Sequence, residues 1–320
     1  MKCRVCKGEA TIKLDSYNTK LCDRDFLAFF EKRIREGIHD YKMFTHEDRI
    51  LAAISGGKDS LVMWDVLLRL GYNVTGYHLY LNIPDSSEHA LEVVKLFAQQ
   101  RKATFILENL RDIIPGDIRE ASMVTKKPTC SVCGMVKRYR FNRLATERGF
   151  TTVITGHHLD DESAVLLGNL MHWQEGYLAR QFPVLEERPG MVRKAKPLIY
   201  ASKEEIEIYT RLRAIQFASS DCPLGGDATS HYYKKAIKQL EKDMPSTKIF
   251  FIKTFYKKYR AYFKDQESGL AGELKPCPKC GSLTVAPICN FCALCEKLIA
   301  RRARLQARAE AEAQALEAPT

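Results

Sequence analysis

No apolar run in this 320-residue chain approaches the roughly 20 residues needed to span a bilayer. The N-terminus, Met1-Lys2-Cys3, has no apolar signal core, so export is not expected. Internal repeats are absent too, apart from two cysteine modules that are only loosely alike. Acidic side chains are in short supply: 39 Asp and Glu against 50 Lys and Arg leave a formal charge of +11. Such a surplus favours a polyanionic partner through counterion release, although ordinary solubility charge accounts for it equally well. The 45% hydrophobic content is that of a globular protein, and the length suits one large domain with small appendages.

Cysteine is what the chain has in excess, with 11 in all. Without an export signal, Cys-x-x-Cys spacings argue for metal rather than disulfides, and for the cytoplasm. Cys277, Cys280, Cys289 and Cys292 form two knuckles, the spacing of a tetrahedral zinc ribbon, with Cys295 as a spare that could replace Cys292. At the other end Cys3, Cys6 and Cys22 have zinc spacing but no fourth cysteine. Asp25 stands where the second knuckle would be completed, and a carboxylate can ligate zinc. Both sets are closed, hence structural, with a grip on RNA as the second role to weigh.

The sequence divides into an N-terminal module (1–25), a large central region (26–264), a C-terminal module (270–298) and a tail (299–320) rich in Ala, Arg, Glu and Gln, read as an exposed helix or frayed end. Gly269 to Pro276 reads as a linker. In the charged stretch Phe26 to Asp48, Phe26, Phe29, Phe30, Ile34 and Ile38 recur at helical spacing. Strand and helix signals then alternate. Ile50–Ile54, Val74–Leu81, Thr104–Leu107 and Thr151–Thr155 read as strands; Ser60–Leu70, Ser86–Gln100 and Met135–Arg148 read as helices. This order predicts a parallel sheet with helices on both faces. Residues 200–264 read as mainly helical.

Ser55-Gly56-Gly57-Lys58-Asp59-Ser60 lies between the first of these strands and its helix. Two glycines let backbone approach an anion, and the helix N-terminus directs free N–H groups at it. This is not the Walker spacing. It resembles the SGGxDS loop of the PP-loop ATP pyrophosphatases. Ligands of such sheets sit at the carboxyl ends of the strands, so Ala53, Leu79 and Gly156 are expected beside the nucleotide. After Gly156 comes His157-His158-Leu159-Asp160-Asp161-Glu162. Asp59 and Asp161 are the expected Mg²⁺ ligands, since Mg²⁺ takes oxygens and bridges phosphates; the plainer reading has Asp160 and Asp161 cap the next helix.

Cys130-x-x-Cys133 and the solitary Cys222 flank this region. From spacing they could be a redox pair, half a zinc site or part of an iron–sulfur site. Lys137 follows Cys133 by one helical turn and shares its face, where a cation could stabilise charge during adenylation. Arg138, Arg140 and Arg143 read as RNA contacts. Between 230 and 264, nine aromatics from Tyr232 to Phe263 interleave with lysines. Most of the aromatics are expected to be core, and lysines such as Lys253, Lys257 and Lys258 to face RNA.

Together the SGGKDS loop, Cys130-x-x-Cys133 with Lys137-Arg138, the GHHLDD segment, Lys196-Pro197-Leu198 and Cys222 resemble the TtcA/TtuA family of PP-loop tRNA thiolation enzymes. The TtuA subgroup of 2-thiouridine synthetases, with cysteine modules at both ends, is the most similar; wobble-uridine thiolases of eukaryotes and archaea are similar as well. The resemblance covers roughly residues 1 to 298. It implies an α/β fold of the PP-loop, adenine nucleotide alpha hydrolase-like type, flanked by two zinc modules. It implies a [4Fe–4S] cluster on Cys130, Cys133 and Cys222, Mg-ATP on Ala53, Ser55 to Ser60, Leu79, Lys137 and Gly156, and catalytic roles for Asp59, Lys137 and Asp161. Position 25 departs from the family, which usually carries His or Cys there. The activity implied is 2-thiolation of a tRNA uridine, with the T-loop 5-methyluridine at position 54 favoured over the wobble uridine. The implied sulfur donor is a ubiquitin-like carrier with a C-terminal thiocarboxylate, and a homodimer is left open. The rival from another class is a zinc-ribbon RNA-binding protein with an inactive loop, against which the intact Lys58, Asp59 and Asp161 argue.

Overall fold

A computed structural model describes residues 1–218, 222–225, 230–263 and 274–317. In chain order the elements are β1 (Ile12–Leu14), β2 (Thr19–Leu21), α1 (Asp23–Asp40), β3 (Ile50–Ala53), α2 (Lys58–Arg69), β4 (Val74–Tyr80), α3 (Ser86–Arg101) and β5 (Phe105–Asn109). There follow α4 (Ile118–Thr125), α5 (Thr129–Glu147), β6 (Thr152–Ile154), α6 (Leu159–Met171), α7 (Glu175–Arg180), β7 (Val184–Leu185), β8 (Arg193–Ala195) and α8 (Lys203–Leu212). The chain closes with α9 (Ser230–Asp243), α10 (Thr247–Thr254), β9 (Lys275–Pro276), β10 (Leu283–Thr284) and α11 (Asn290–Glu317).

Six strands make the central sheet in the order β5-β4-β3-β6-β8-β7. The crossovers between β3, β4, β5, β6 and β8 keep these strands parallel. To the expected parallel sheet the edge adds one strand that sequence reading did not place, β7, which runs antiparallel to β8. A tight reversal bridged at Arg188 and Met191 joins the two, and so short a connection permits only the antiparallel arrangement.

Alternation along the strands fills two cores. Ile50 and Ala52 point to the layer of α1, α2 and α8, while Leu51, Tyr77 and Val153 point to the layer of α4, α5 and α11. Along α1 the buried stripe is Phe26, Phe30, Ile34 and Ile38; Phe29, expected on it, is half-buried against Tyr17. The charged stretch expected to run to Asp48 is helical only to Asp40. Lys42 adopts φ +48°, Met43 N–H donates to the Ile38 carbonyl at 3.0 Å, and Asp48 accepts from the Thr45 amide at 2.7 Å. These bonds turn the chain into β3. At the other end of the sequence, α11 runs unbroken through the 298/299 boundary, and Leu294 and Leu298 are buried against the α4–α5 layer. Of the expected linker, residues up to 273 lie outside the described ones, and Lys275 is already in β9.

The tightest contact in the sheet is at Gly76 of β4. A Cβ there would stand 2.7 Å from the Trp64 ring and 3.0 Å from Phe105 Cβ. Trp64 is fully buried and cannot yield without disturbing Phe97, whose ring stacks on it at 5.0 Å. Gly76→Ala is therefore expected to destabilise the fold by about 1–3 kcal/mol in urea unfolding. An unchanged midpoint would contradict this packing.

Candidate active site

The carboxyl ends of β3, β4 and β6 open on a cavity of about 780 Å³. β3 gives way to the Ser55–Ser60 loop, and α2 starts at Lys58 with Gly57 as N-cap. No side chain caps that helix, so its first amides are left for an anion. Ser60 Oγ donates to the Gly57 carbonyl at 2.8 Å and accepts from the Ser55 amide at 3.2 Å. Gly56 has φ +87°, and a Cβ there would meet the Ala90 backbone of α3 at 3.0 Å. From β6, Gly156 presses on the other side: its Cβ would be 3.0 Å from the Ser60 amide and 3.1 Å from Asp59 C. Ala53, Ser55, Gly57, Lys58, Asp59, Ser60, Leu79 and Lys137 all line the cavity. Gly56 and Gly156 instead form the loop's backing.

Carboxylates and a histidine meet at the start of α6. Buried His158 is its N-cap, and it lies 3.8 Å from Asp59 Oδ2 and 3.4 Å from Asp161 Oδ2. Asp161 closes a capping box with His158, and its Oδ1 pairs with Lys234 Nζ at 2.5 Å. Burial raises the Asp161 pKa, but His158 and Lys234 outweigh it and hold the carboxyl below its usual range. Asp160 has turned away. It pairs with fully buried Lys248 at 2.8 Å and accepts from the Lys203 amide at 2.8 Å. Asp161 thus does cap its helix, the plainer of the two expectations, while still facing Asp59 across the His158 ring. Asp59 Oδ1 is 3.0 Å from Lys58 Nζ and, among the described residues, is a buried oxygen without a hydrogen bond.

The basic helix starts six residues before the expected Met135. α5 opens at Thr129 with Pro128 before it, so Cys130 and Cys133 lie in its first two turns and Lys137 one turn on. Cys222 lines the cavity opposite. Cys130 and Cys222 are exposed and Cys133 is partly so. Among the described residues, the three thiols are not within the 4.8 Å that the two terminal sets show.

The terminal sets converge. The ligand atoms of Cys277, Cys280, Cys289 and Cys292 lie within 4.8 Å of one another, as do those of Cys3, Cys6, Cys22 and Asp25. Cys3 Sγ donates to Asp25 Oδ2 at 3.1 Å, and hydrogen bonds from Cys6 and Cys3 hold the Asp25 carboxyl far below its ordinary range. Burial raises the Cys280 thiol, but donors from Ser282 and Tyr139 outweigh it and bring it to about 6, towards the thiolate a metal needs. Cys295 lies in the α4–α5 core, and burial pushes its thiol up.

Several RNA-facing expectations change. Arg140 makes a bidentate pair with Glu108 at 2.6 and 2.7 Å, and Arg143 holds Glu147 at 2.7 Å and the Cys280 carbonyl. Both brace the fold, while Arg138 is exposed. Lys253 sits 4.1 Å over the Tyr200 ring, half-buried, while Lys257 and Lys258 are exposed. Of the nine aromatics, Phe255 and Tyr256 are buried but Tyr232, Phe250, Tyr259 and Tyr262 are exposed, contrary to the expected burial of most. Reading the residues singly also missed His158, Lys234 and His78, whose partners lie far off in sequence. The GHHLDD string was the available signal for His158.

Residues 26–223 match the family described as a PP-loop domain. The chain is 38% identical over 301 residues to the tRNA-5-methyluridine(54) 2-sulfurtransferase of Thermus thermophilus, covering 94% of this chain and 93% of the relative. Its identity to the enzyme of the same name from Thermotoga maritima is also 38%, over 94% and 98% of the two chains. Among solved structures, the U34-tRNA thiolase NcsA of Methanococcus maripaludis with its [4Fe-4S] cluster superposes with a TM-score of 0.75 at 21% identity, covering 92% and 95%. That likeness confirms the fold.

Gly156 offers a direct test of the loop geometry. A methyl group at 3.0 Å from the Ser60 amide must displace the backbone that cradles phosphate. Gly156→Ala should keep the fold and weaken ATP binding by about tenfold or more. Equal ATP affinity in calorimetric titration would contradict the clamp.

Proposed function

The chain belongs to the PP-loop tRNA 2-thiolation family, and from that premise we propose that it replaces the C2 oxygen of 5-methyluridine 54 in tRNA with sulfur at the expense of ATP. The observation that carries this reading is one cavity that joins an anion-binding loop, Asp59, Lys137 and Cys222, with Asp161 meeting Asp59 behind it at His158 Nε2. The 38% identity to enzymes named for position 54 supports the T-loop uridine over the wobble one.

The chemistry follows from where the residues stand. The α2 amides and Lys58 hold the β- and γ-phosphates, which leaves the α-phosphorus towards Lys137. Uridine O2 attacks it, and the O2–P bond forms as the bond to pyrophosphate breaks. Lys137 offsets negative charge on the α-phosphate. A sulfur nucleophile then attacks C2, and AMP leaves with the former uridine oxygen. Asp59 and Asp161 would hold Mg²⁺, which neutralises phosphate charge; the unsatisfied Asp59 oxygen supports this. Lys234 pairs with the other Asp161 oxygen and adds positive charge beside the carboxylates. Cys130, Cys133 and Cys222 would hold a [4Fe–4S] cluster, whose iron without a protein thiolate supplies a seat for sulfur. We further propose structural zinc in both terminal sets, a ubiquitin-like thiocarboxylate carrier as donor, and a cytoplasmic enzyme. No described helix is long and apolar enough to cross a membrane.

Mass spectrometry of tRNA from a deletion strain should show loss of 5-methyl-2-thiouridine and accumulation of 5-methyluridine at position 54. Loss confined to a wobble thiouridine would move the substrate to the anticodon. In the enzyme, replacing Cys130, Cys133 or Cys222 should each remove iron and thiolation while leaving zinc, whereas Cys295→Ser should remove neither. Full activity in iron-free protein would end the cluster assignment.

The zinc assignment has its own readout. The protein should carry two zinc ions, and Asp25→Ala should lose one of them while keeping the other and the iron. Removal of zinc should cost several kcal/mol of stability, because the site forms only in the folded chain. Two zinc ions retained in Asp25→Ala would exclude Asp25 as a ligand.

A further inference from the structure

Among the side chains in the cavity that the scheme above does not use, one has an unmet hydrogen-bonding position. His78 stands on β4 beside Leu79, is only 3% exposed and lines the cavity. Its Nδ1 is 2.9 Å from the Ile54 carbonyl, which can only accept, so Nδ1 carries the proton. Nε2 therefore presents a lone pair, and it is a buried atom with no partner. Burial, reinforced by the charge of Lys137, lowers the His78 pKa and keeps the ring neutral against the opposing bond to Ile54. A buried acceptor left unpaired is costly, so its place at a ligand cavity calls for a donor from the ligand.

We infer that His78 Nε2 reads an uncharged hydrogen-bond donor on the nucleoside part of ATP, either the adenine amine or a ribose hydroxyl. Phosphate oxygens cannot satisfy it, because ionised phosphate only accepts. Position favours ATP over the uridine as the source. Strand alternation turns His78 away from Tyr77 and Leu79, which face the α5 layer, and towards the side of α2 and α3. Cys130 and Cys133, where sulfur is expected, lie on α5 against the Tyr77 and Leu79 face, and unlike His78 they do not line this cavity. The inference rests on the proposed ATP site and adds to it a residue that sets nucleotide specificity.

The test compares ATP with purine riboside triphosphate, 2′-deoxy-ATP and 3′-deoxy-ATP, each lacking one donor. Dissociation constants are measured on the metal-loaded enzyme. His78→Asn keeps an amide able to reach Ile54 but has no acceptor at the Nε2 position. In wild-type enzyme one analogue should bind about five- to tenfold more weakly than ATP, the amine and hydroxyl arms being told apart by which one. In His78→Asn, ATP should weaken by the same factor and that analogue should lose nothing further. His78→Gln, which can return an oxygen to the Nε2 position, should restore part of the discrimination; it also guards against an Asn variant that folds poorly. Identical analogue deficits in wild type and a folded variant would overturn the inference while leaving ATP binding intact. Wild-type enzyme that binds no ATP would overturn both.

Discussion

The Ser55–Ser60 loop keeps its shape because two neighbouring backbones touch it where no side chain intervenes. Ala90 of α3 lies against Gly56, and Gly156 at the end of β6 lies against Asp59 and Ser60, each at 3.0–3.2 Å from where a Cβ would stand. Held from both sides, the α2 amides keep their direction without a capping side chain. The same contact fixes the start of α6, two residues beyond Gly156, and so brings His158 and Asp161 to Asp59. Preorganised donors act on phosphate without rearranging, which is where such sites gain most of their effect.

The two terminal modules brace the two walls of this cavity. On one side, Ser16 donates to Glu241, Glu241 accepts the Lys248 amide, and the Lys248 ammonium meets Asp160 at the head of α6. This hydrogen-bonded path runs from the N-terminal module to Asp160, next in sequence to Asp161, through the buried Glu241 and Lys248, where polar pairing is stronger than in water. On the other side, Phe291 of α11 stacks on Tyr139 of α5 with ring centroids 3.7 Å apart, and Arg143 reaches the Cys280 carbonyl. α5 is the helix that carries Lys137, Cys130 and Cys133. Metal in the modules would thus act at a distance, by holding these walls, without entering the reaction.

What could be read from the sequence was what is local. The loop, the paired cysteines and the alternation of strands and helices are set by spacings of a few residues, and the strands and helices formed close to where those spacings put them. What could not be read depends on distant partners. Arg140 looks like an RNA contact until Glu108 is seen beside it, and Lys253 until Tyr200 is. β7 and β8 are two and three residues long and carry little hydrophobic pattern. α5 was placed too late because its first turns hold Cys130-x-x-Cys133, a spacing that reads as a metal knuckle before it reads as a helix. His78 gave no signal at all, since its meaning lies in an empty hydrogen-bonding position.

At the centre of this account one oxygen changes hands. tRNA labelled with ¹⁸O at C2 of uridine 54 would follow it directly, with the released nucleotides analysed by mass spectrometry after one turnover. The account predicts the label in the phosphate of AMP, because O2 attacks the α-phosphorus and departs with it. Label in pyrophosphate or inorganic phosphate, or retained in the thiolated tRNA, would contradict adenylation of the uridine.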